Sequence, residues 1–245
     1  MSISFFFKKK TQRLFEGLID IHNHTLPGID DGSKTINQSL EMLNIYSDLG
    51  VQKLIVTPHI YKDLYPNTKH NIQTAYKSLR SASQNYNIEI IGYAAEYMVD
   101  EFFINDINAK APLLNCFNEH VLIEIPFFGQ LKRLNEALFI MQNKGYLPIL
   151  AHPERYSALQ TIEEVAGLKR KGAKMQLNAL SLIGFYGPKA KKNASLWLQK
   201  GLYDFIGTDA HNPYQLKKLK EIYLSKKELS AWTQICEKQI TLISS

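Results

Sequence analysis

The stretch Leu18-Ile19-Asp20-Ile21-His22-Asn23-His24 begins as a short apolar run and ends in polar residues. Short apolar runs that are followed by turn residues are typical of strands buried on both faces. Because side chains alternate along a strand, His22 and His24 point the same way and can reach one metal ion. The stretch therefore predicts a buried strand that carries two metal ligands at its carboxyl end.

Six further runs of the same kind follow, with longer amphipathic segments of helical spacing between them. The predicted strands are Leu18–His22, Lys53–Pro58, Ile88–Tyr93, Val121–Pro126, Leu147–Ala151, Lys174–Leu177 and Asp204–Gly207. Glycines suited to closing a helix in the left-handed conformation precede several strands, at Gly50, Gly145, Gly172 and Gly201. This alternation of strands and helices predicts an α/β protein with a parallel sheet.

Polar side chains of the kind that bind ligands stand at the carboxyl ends of most of the predicted strands. A barrel brings all such ends into one ring, whereas an open sheet gathers only those near its switch point. The pattern therefore favours a barrel of about seven strands. Because no linker or break in composition interrupts the chain, we expect an N-terminal extension over residues 1–17 and a single domain over residues 18–245.

The composition and the missing motifs exclude several classes of protein. The chain of 245 residues has 45% hydrophobic and 21% charged residues, as is ordinary for globular proteins. Its two cysteines, Cys116 and Cys236, cannot form a disulfide framework or a thiolate zinc cluster. Neither begins the Cys-x5-Arg loop of a cysteine-dependent phosphatase, and the glycine-rich nucleotide-binding loops are absent.

The charge pattern argues against nucleic acid and against a membrane span. The formal charge is +6, but the lysines are scattered along helices instead of lining a groove with aromatic residues. No apolar stretch approaches the ~20 residues of a membrane span. The N-terminal lysines follow a very short apolar run, which is the reverse of a secretory signal. We therefore expect a cytoplasmic protein.

Imidazole and carboxylate side chains cluster at the predicted strand ends. The candidates are His22, His24, Asp31, His59, Glu96, Glu124, His152, Asp209 and His211. Each alone is weak evidence: His59 taken singly is more often a structural histidine. Glu124 lies in a run so apolar that its burial is costly unless it is paired or bound to a cation, and a core salt bridge is the alternative. The complete set predicts a metal site, and His70 and His120 fall outside it.

Nine ligands exceed what one ion requires, so that we expect two or three ions that share bridging carboxylates. Without a sulfur ligand, the donors suit manganese, iron or zinc. Together with Arg155, the ions would leave the pocket positive. Clustered metal ions and a guanidinium suit an oxyanion, and this arrangement favours phosphoryl transfer to water.

Five motifs in this order carry a resemblance to a known family. They are Asp-Ile-His-Asn-His, Leu-Pro-Gly-Ile-Asp-Asp-Gly, Thr-Pro-His, His-Pro-Glu-Arg-Tyr and Asp-Ala-His-Asn, and they run from Asp20 to Asn212. The set resembles the polymerase-and-histidinol-phosphatase (PHP) superfamily. Within it, the chain looks most like the bacterial metal-dependent tyrosine-protein phosphatases encoded with capsule and exopolysaccharide genes.

This resemblance implies a PHP fold, a distorted TIM-like (β/α)7 barrel, with a site of three metal ions that is usually described with manganese; cobalt is a further alternative. The implied ligand groups are His22, His24, Glu96 and Asp209 for one ion, Asp31, His59 and His211 for a second, and Glu96, Glu124 and His152 for a third. Glu96 would bridge two ions, and Arg155 would contact the phosphate.

The leading hypothesis is hydrolysis of phosphotyrosine on a protein by a metal-bridged hydroxide, with Arg155, His59 and Asp209 as catalytic residues. The family implies a bacterial tyrosine autokinase as the partner. Tyr61 and Tyr65, in the loop after His59, either stack on an aromatic substrate or pack the loop. From the sixth strand, Asn178 either binds substrate or orients a ligand.

Two alternatives remain open at this point. A phosphatase for a small metabolite such as histidinol phosphate would use the same ligands, and a metal-binding regulator would need no catalysis. The chain also departs from the family where a second arginine often follows Asp-Ala-His-Asn. Lys217 and Lys218 lie in that stretch, and one of them would replace the arginine as a point charge, but lysine does not reproduce the bidentate geometry of arginine.

Overall fold

The computed structural model describes residues 13–109, 111–126 and 131–244. In these residues the chain forms nine β-strands, and every pairing between them is parallel. The strands are β1 Ile19–Asp20, β2 Lys53–Val56, β3 His59–Ile60, β4 Glu89–Tyr93, β5 Glu96–Met98, β6 His120–Glu124, β7 Leu147–Ala151, β8 Lys174–Asn178 and β9 Phe205–Gly207. The α/β class and all seven predicted strands are confirmed, and β3 and β5 are additional.

The strands form two sheets, in the orders β1-β2-β4 and β3-β5-β6-β7-β8-β9, and no closed sheet is formed by the described residues. Backbone hydrogen bonds nevertheless continue past the strand ends. Asp209 N donates to His22 O at 2.7 Å and His24 N donates to Ala210 O at 3.0 Å, which joins the end of β9 to the end of β1. Glu96 N donates to Pro58 O at 3.0 Å on the other side. The carboxyl ends of β1, β2 and β9 and the start of β5 therefore meet in one region.

Helices follow most of the strands, whereas β2 leads directly to β3 and β4 leads directly to β5. The helices are α1 Ile36–Leu49, α2 Lys69–Ala82, α3 Glu101–Asn108, α4 Leu131–Asn143, α5 Ile162–Arg170, α6 Pro188–Gln199, α7 Pro213–Lys218 and α8 Lys226–Ser244. Short 3-10 helices span Pro153–Arg155, Ala179–Ile183 and Leu219–Glu221. The four glycines expected to close helices all have a positive φ, between 67° and 90°.

The first described residues pack onto the last helix. Trp232 on α8 is buried, its indole Nε1 donates to Leu14 O at 2.7 Å, and its ring meets Phe15 edge-on at 5.5 Å. The domain boundary at residue 18 stays a prediction, and the first 12 residues of the proposed extension lie outside the described part. None of the helices in the described ranges has both the length and the apolar character that crossing a bilayer would require.

His120, at the start of β6, is buried in the core away from the predicted ligands. Its ring stacks on Phe117 at 4.5 Å and meets Phe205 edge-on at 5.7 Å. Burial between these rings lowers the pKa of His120 below its ordinary value. The unfolded chain therefore binds a proton more readily here than the folded protein does.

We predict that this histidine makes the protein less stable in mild acid. Its folded pKa lies below the unfolded value of ~6.5, so that stability is complete above that pH and is lost as the pH falls. The His120→Gln variant should lack this loss. Urea unfolding at pH 5.5 and pH 7.5 measures it: the wild type should lose more unfolding free energy on acidification than the variant. An equal loss in both proteins would contradict the prediction.

Candidate metal centre

The stretch after β1 carries two fully buried histidines, His22 and His24, on the same side of the chain, as the alternation predicted. Strand β9 passes close to His22, and the absence of a side chain at Gly207 leaves space for this histidine. A Cβ on Gly207 would lie 2.7 Å from the Cβ of His22 and 2.8 Å from Nε2 of Gln176, so that glycine is required there. Thus the packing of β1 against β9 fixes where the first imidazole stands.

A first group of four buried side chains converges at this point: His22, His24, Glu96 and Asp209. Nε2 of His22 lies 3.1 Å from Glu96 Oε2 and 3.3 Å from Asp209 Oδ1. Nε2 of His24 lies 3.4 Å and 3.3 Å from the same two oxygens. Two imidazoles and two carboxylates therefore surround a common point, in the combination that the resemblance implies for one ion.

A second group lies beside the first and is more open to solvent. Asp31, His59 and His211, the three expected for a second ion, gather here together with His24. Nε2 of His59 and Nε2 of His211 lie 3.4 Å and 3.5 Å from Asp31 Oδ1. The side chain of Asp31 is 47% exposed, which leaves this end of the centre accessible.

A third group consists of His59, Glu96 and Glu124. Nδ1 of His59 lies 3.1 Å from Glu96 Oε2 and 3.0 Å from Glu124 Oε1. His152, which the resemblance implies at this position, stands slightly apart: its Nε2 is 3.0 Å from Glu96 Oε1 but 3.9 Å from Glu124 Oε2. The structure therefore brings all nine predicted side chains together, and Glu96 lies between the groups.

The donors of this centre fit a divalent cation. Four buried atoms have no hydrogen-bond partner among the described residues although they face one another: Nε2 of His22, Nε2 of His24, Nδ1 of His59 and Oε2 of Glu96. Buried polar atoms are almost always paired, and unpaired ones are costly. A cation bound among them would satisfy all four, and a set of nitrogen and oxygen donors suits manganese, iron or zinc.

The electrostatics of the cluster point the same way. Burial lowers the pKa of His22, but the negative charges of Glu96 and Asp209 outweigh it and raise that pKa to about 9. Burial likewise disfavours the charged form of Glu96, yet His22 and His59 hold its pKa well below the usual range. The carboxylates therefore demand positive charge from their surroundings, which protons on the imidazoles or divalent ions can supply.

Asp30 is a site residue that the sequence reasoning missed, since it chose the neighbouring Asp31 alone. Oδ2 of Asp30 lies 2.8 Å from Nδ1 of His24 and accepts a hydrogen bond from His59 N at 3.1 Å. A carboxylate behind a metal-binding imidazole fixes its tautomer and its orientation. Gly32 allows this loop to fold back, because a Cβ there would lie 2.2 Å from His24 O.

The centre opens into a cleft of about 410 Å³, whose wall includes three of the expected substrate contacts, Arg155, Tyr61 and Tyr65. Nη1 of Arg155 donates to Asp209 Oδ2 at 2.7 Å. The ring of Tyr65 stacks on His59 with centres 5.4 Å apart and planes 13° apart. The guanidinium of Arg155 and the ring of Tyr65 therefore flank the candidate metal ligands.

Asn178, the fourth expected substrate contact, is fully buried and does not line this cleft. Its Nδ2 donates to Asp209 Oδ2 at 2.7 Å, so that it can orient this carboxylate instead. The lysines considered as replacements for a second arginine also point elsewhere. Lys217 pairs with Glu41 at 2.9 Å, Lys218 pairs with Glu221 at 2.7 Å, and neither lines the cleft.

Comparison with known proteins shows which family this chain resembles. Residues 18–227 match the family described as capsular polysaccharide synthesis, CpsB/CapC. The tyrosine-protein phosphatase YwqE of Bacillus subtilis (strain 168) is 31% identical over 198 residues, which cover 80% of this chain and 78% of YwqE. The tyrosine-protein phosphatase CpsB of Streptococcus pneumoniae is 28% identical over 203 residues, 80% of this chain and 83% of CpsB.

A solved structure supports the same relationship. It comes from work on YwqE and CpsB, described as unique metal-dependent tyrosine phosphatases, and it superposes with a TM-score of 0.73 at 26% identity. The superposition covers 91% of this chain and 95% of the solved one. The resemblance inferred from the five motifs is therefore confirmed, and the chain belongs to the CpsB/CapC family.

Proposed function

We propose that the protein is a metal-dependent protein-tyrosine phosphatase, a phosphoric monoester hydrolase. The observation that carries this proposal is the gathering of nine imidazole and carboxylate side chains, seven of which line one cleft with Arg155 on its wall. The relatives that share most of the chain are named tyrosine-protein phosphatases. Metal dependence is part of the description of the related solved structure.

Two or three divalent ions, with manganese as the proposed metal, would be held by the three groups. The proposed ligand sets are His22, His24, Glu96 and Asp209; Asp31, His59 and His211; and Glu96 and Glu124 with His152 or His59. When bound, such ions supply a nucleophile from water at neutral pH and stabilise charge on the phosphoryl oxygens.

The chain's own side chains bind and orient the substrate. Arg155 presents a planar set of donors at the cleft wall, which matches the oxygens of a phosphoryl group. The face of Tyr65, fixed against His59, offers a stacking surface for the phenyl ring, and Tyr61 lies beside it. The side-chain amide of Asn178 donates to Asp209 Oδ2 and so orients this carboxylate. The leaving phenol has a reference pKa of ~10, so that a proton from water suffices for its release.

The finer assignments are also proposals. A tyrosine autokinase of capsule synthesis is the proposed substrate protein and the cytoplasm the proposed location, on the strength of the family's link to capsular polysaccharide. A distorted (β/α)7 barrel is supported by the backbone bonds between His22 and Asp209 and between His24 and Ala210. A single domain over 18–245 is supported by the family match over residues 18–227 and by α8, whose Gln239 Nε2 donates to Ile19 O and Ile206 O.

Removal of metal should abolish hydrolysis of a phosphotyrosine peptide and lower the thermal denaturation midpoint, because the buried carboxylates then lose the charge that balances them. Added Mn²⁺ should restore both. Scanning calorimetry of chelator-treated and reloaded protein gives a readout that does not depend on turnover. Unchanged turnover together with an unchanged midpoint after verified metal removal would refute the proposed function.

Asp30→Asn should weaken metal binding about 10- to 100-fold, because the orienting carboxylate behind His24 is lost. Isothermal titration with Mn²⁺ measures the affinity directly. Asp48→Asn, an identical exchange at an exposed position on α1, is the matched control and should bind as the wild type does. Equal affinities for the two variants would show that Asp30 does not act on the centre.

Arg155→Lys should lower kcat/KM for a phosphotyrosine peptide about 10- to 100-fold, because lysine keeps the charge but loses the planar set of donors. The exposed Arg170, at the end of α5, gives the matched control Arg170→Lys, which should leave turnover unchanged. Steady-state kinetics with Mn²⁺-loaded protein test both. If the Arg155 variant keeps full activity, the phosphate contact is wrongly assigned.

A further inference from the structure

Arg155 is held at the cleft wall by two contacts of different kinds. Its Nη1 donates to Asp209 Oδ2 at 2.7 Å, and its Cζ lies 3.9 Å from the centre of the Tyr186 ring. Only 16% of the Arg155 side chain is exposed. A guanidinium at this distance over an aromatic face is attracted to it. The ring of Tyr186 therefore covers one face of the cation, while an edge of the guanidinium donates to the carboxylate.

The position of Tyr186 is itself fixed on both sides. It lies in a tight turn closed by a hydrogen bond from Gly187 N to Gly184 O at 2.9 Å, and both glycines have the positive φ that this turn requires. The half-buried ring also meets the ring of Phe185 edge-on, with the two centres 5.1 Å apart. The turn thus presents the ring to Arg155 in one orientation.

We propose that Tyr186 is a positioning residue for the phosphoryl-binding group. Its ring holds Arg155 so that the guanidinium donors face an anion in the cleft instead of turning fully onto Asp209. The arginine side chain has several rotatable bonds, and the ring restricts them before the anion arrives. This inference rests on the proposed function for the identity of the anion, a phosphate monoester.

The aromatic face of Tyr186, and not its hydroxyl, makes the contact with Arg155. Tyr186→Leu removes the face, and we expect it to raise KM for a phosphotyrosine peptide and the inhibition constant of inorganic phosphate about 10-fold. Tyr186→Phe keeps the face and should stay within about two-fold of the wild type for both constants. Tyr214→Leu is the matched control, since Tyr214 is 61% exposed and its ring lies against Lys218, whose Nζ is 5.6 Å from the ring centre.

A double-mutant cycle separates positioning from a general structural role. If Tyr186 acts through Arg155, the leucine exchange should have little further effect on kcat/KM in an Arg155→Met background, because residues that work as a unit are not additive. The experiment measures kcat and KM of the Mn²⁺-loaded proteins with one phosphotyrosine peptide. Thermal denaturation midpoints confirm that each variant is folded, and Tyr186→Met replaces the leucine variant if that one does not fold.

Two results would overturn the inference. One is an equal loss for Tyr186→Leu in the wild-type and Arg155→Met backgrounds, and the other is a loss for Tyr186→Phe as large as that for Tyr186→Leu. A wild type without metal-dependent turnover would refute the proposed function instead. Calorimetric titration of the loaded protein with inorganic phosphate would still test Tyr186 then, because it reports the anion contact without chemistry; equal phosphate affinities for the wild type and Tyr186→Leu would again overturn the inference.

Discussion

The carboxylate of Glu96 lies completely buried among four imidazoles, and the architecture around it follows from that arrangement. Its oxygens are 3.0 to 3.4 Å from nitrogens of His22, His24, His59 and His152. A charged carboxylate in such an interior is tolerated only where positive charge and hydrogen-bond donors surround it. Because the four histidines come from three separate strand ends, the sheets must bring those ends together before the charge is compensated.

The backbone bears part of the cost of this convergence. His152 and Asp209 both have a positive φ, 35° and 49°, which for residues other than glycine costs about 1–3 kcal/mol each. The turn after β7 leads directly into the 3-10 helix that carries Arg155. That helix is anchored by the buried carboxylate of Glu154, which accepts hydrogen bonds from Asn178 N, Ser181 Oγ and Tyr203 OH. The strained turns therefore place the guanidinium next to Asp209, where an anion can meet both the cation and the metal groups.

Sequence patterns predicted seven of the nine described strands, because burial on both faces leaves continuous apolar runs. They missed β3 and β5, of two and three residues, because these short strands carry the polar His59 and Glu96 instead of an apolar run. The division into two sheets depends on pairing register, including the irregularity between Leu54 and Ile55 where β2 pairs with β4, and no local pattern encodes that.

The site residues show the same division between chemistry and geometry. Ligand type and strand-end position were enough to name the nine side chains. They were not enough to separate the roles of Asp30 and Asp31, because the two carboxylates are adjacent and chemically equal. Only the fold shows that Asp30 turns inward to His24 while Asp31 faces the cleft. Tyr186 carried no signal at all, since its contact with Arg155 joins segments about 30 positions apart.

The balance of charge at the cleft links metal loading to substrate binding. The described cleft wall carries four carboxylates, and Arg155 is its one guanidinium. The cleft is therefore negative when its imidazoles are neutral. An anionic phosphate would be repelled from such a surface. Two divalent ions are enough to reverse the sign, and a third makes the cleft strongly positive. The same carboxylates that hold the cations would otherwise exclude the substrate, so that affinity for phosphate must follow metal occupancy. Arg155, fixed against Asp209, gives the anion its orientation, whereas the bound ions decide whether the anion can enter.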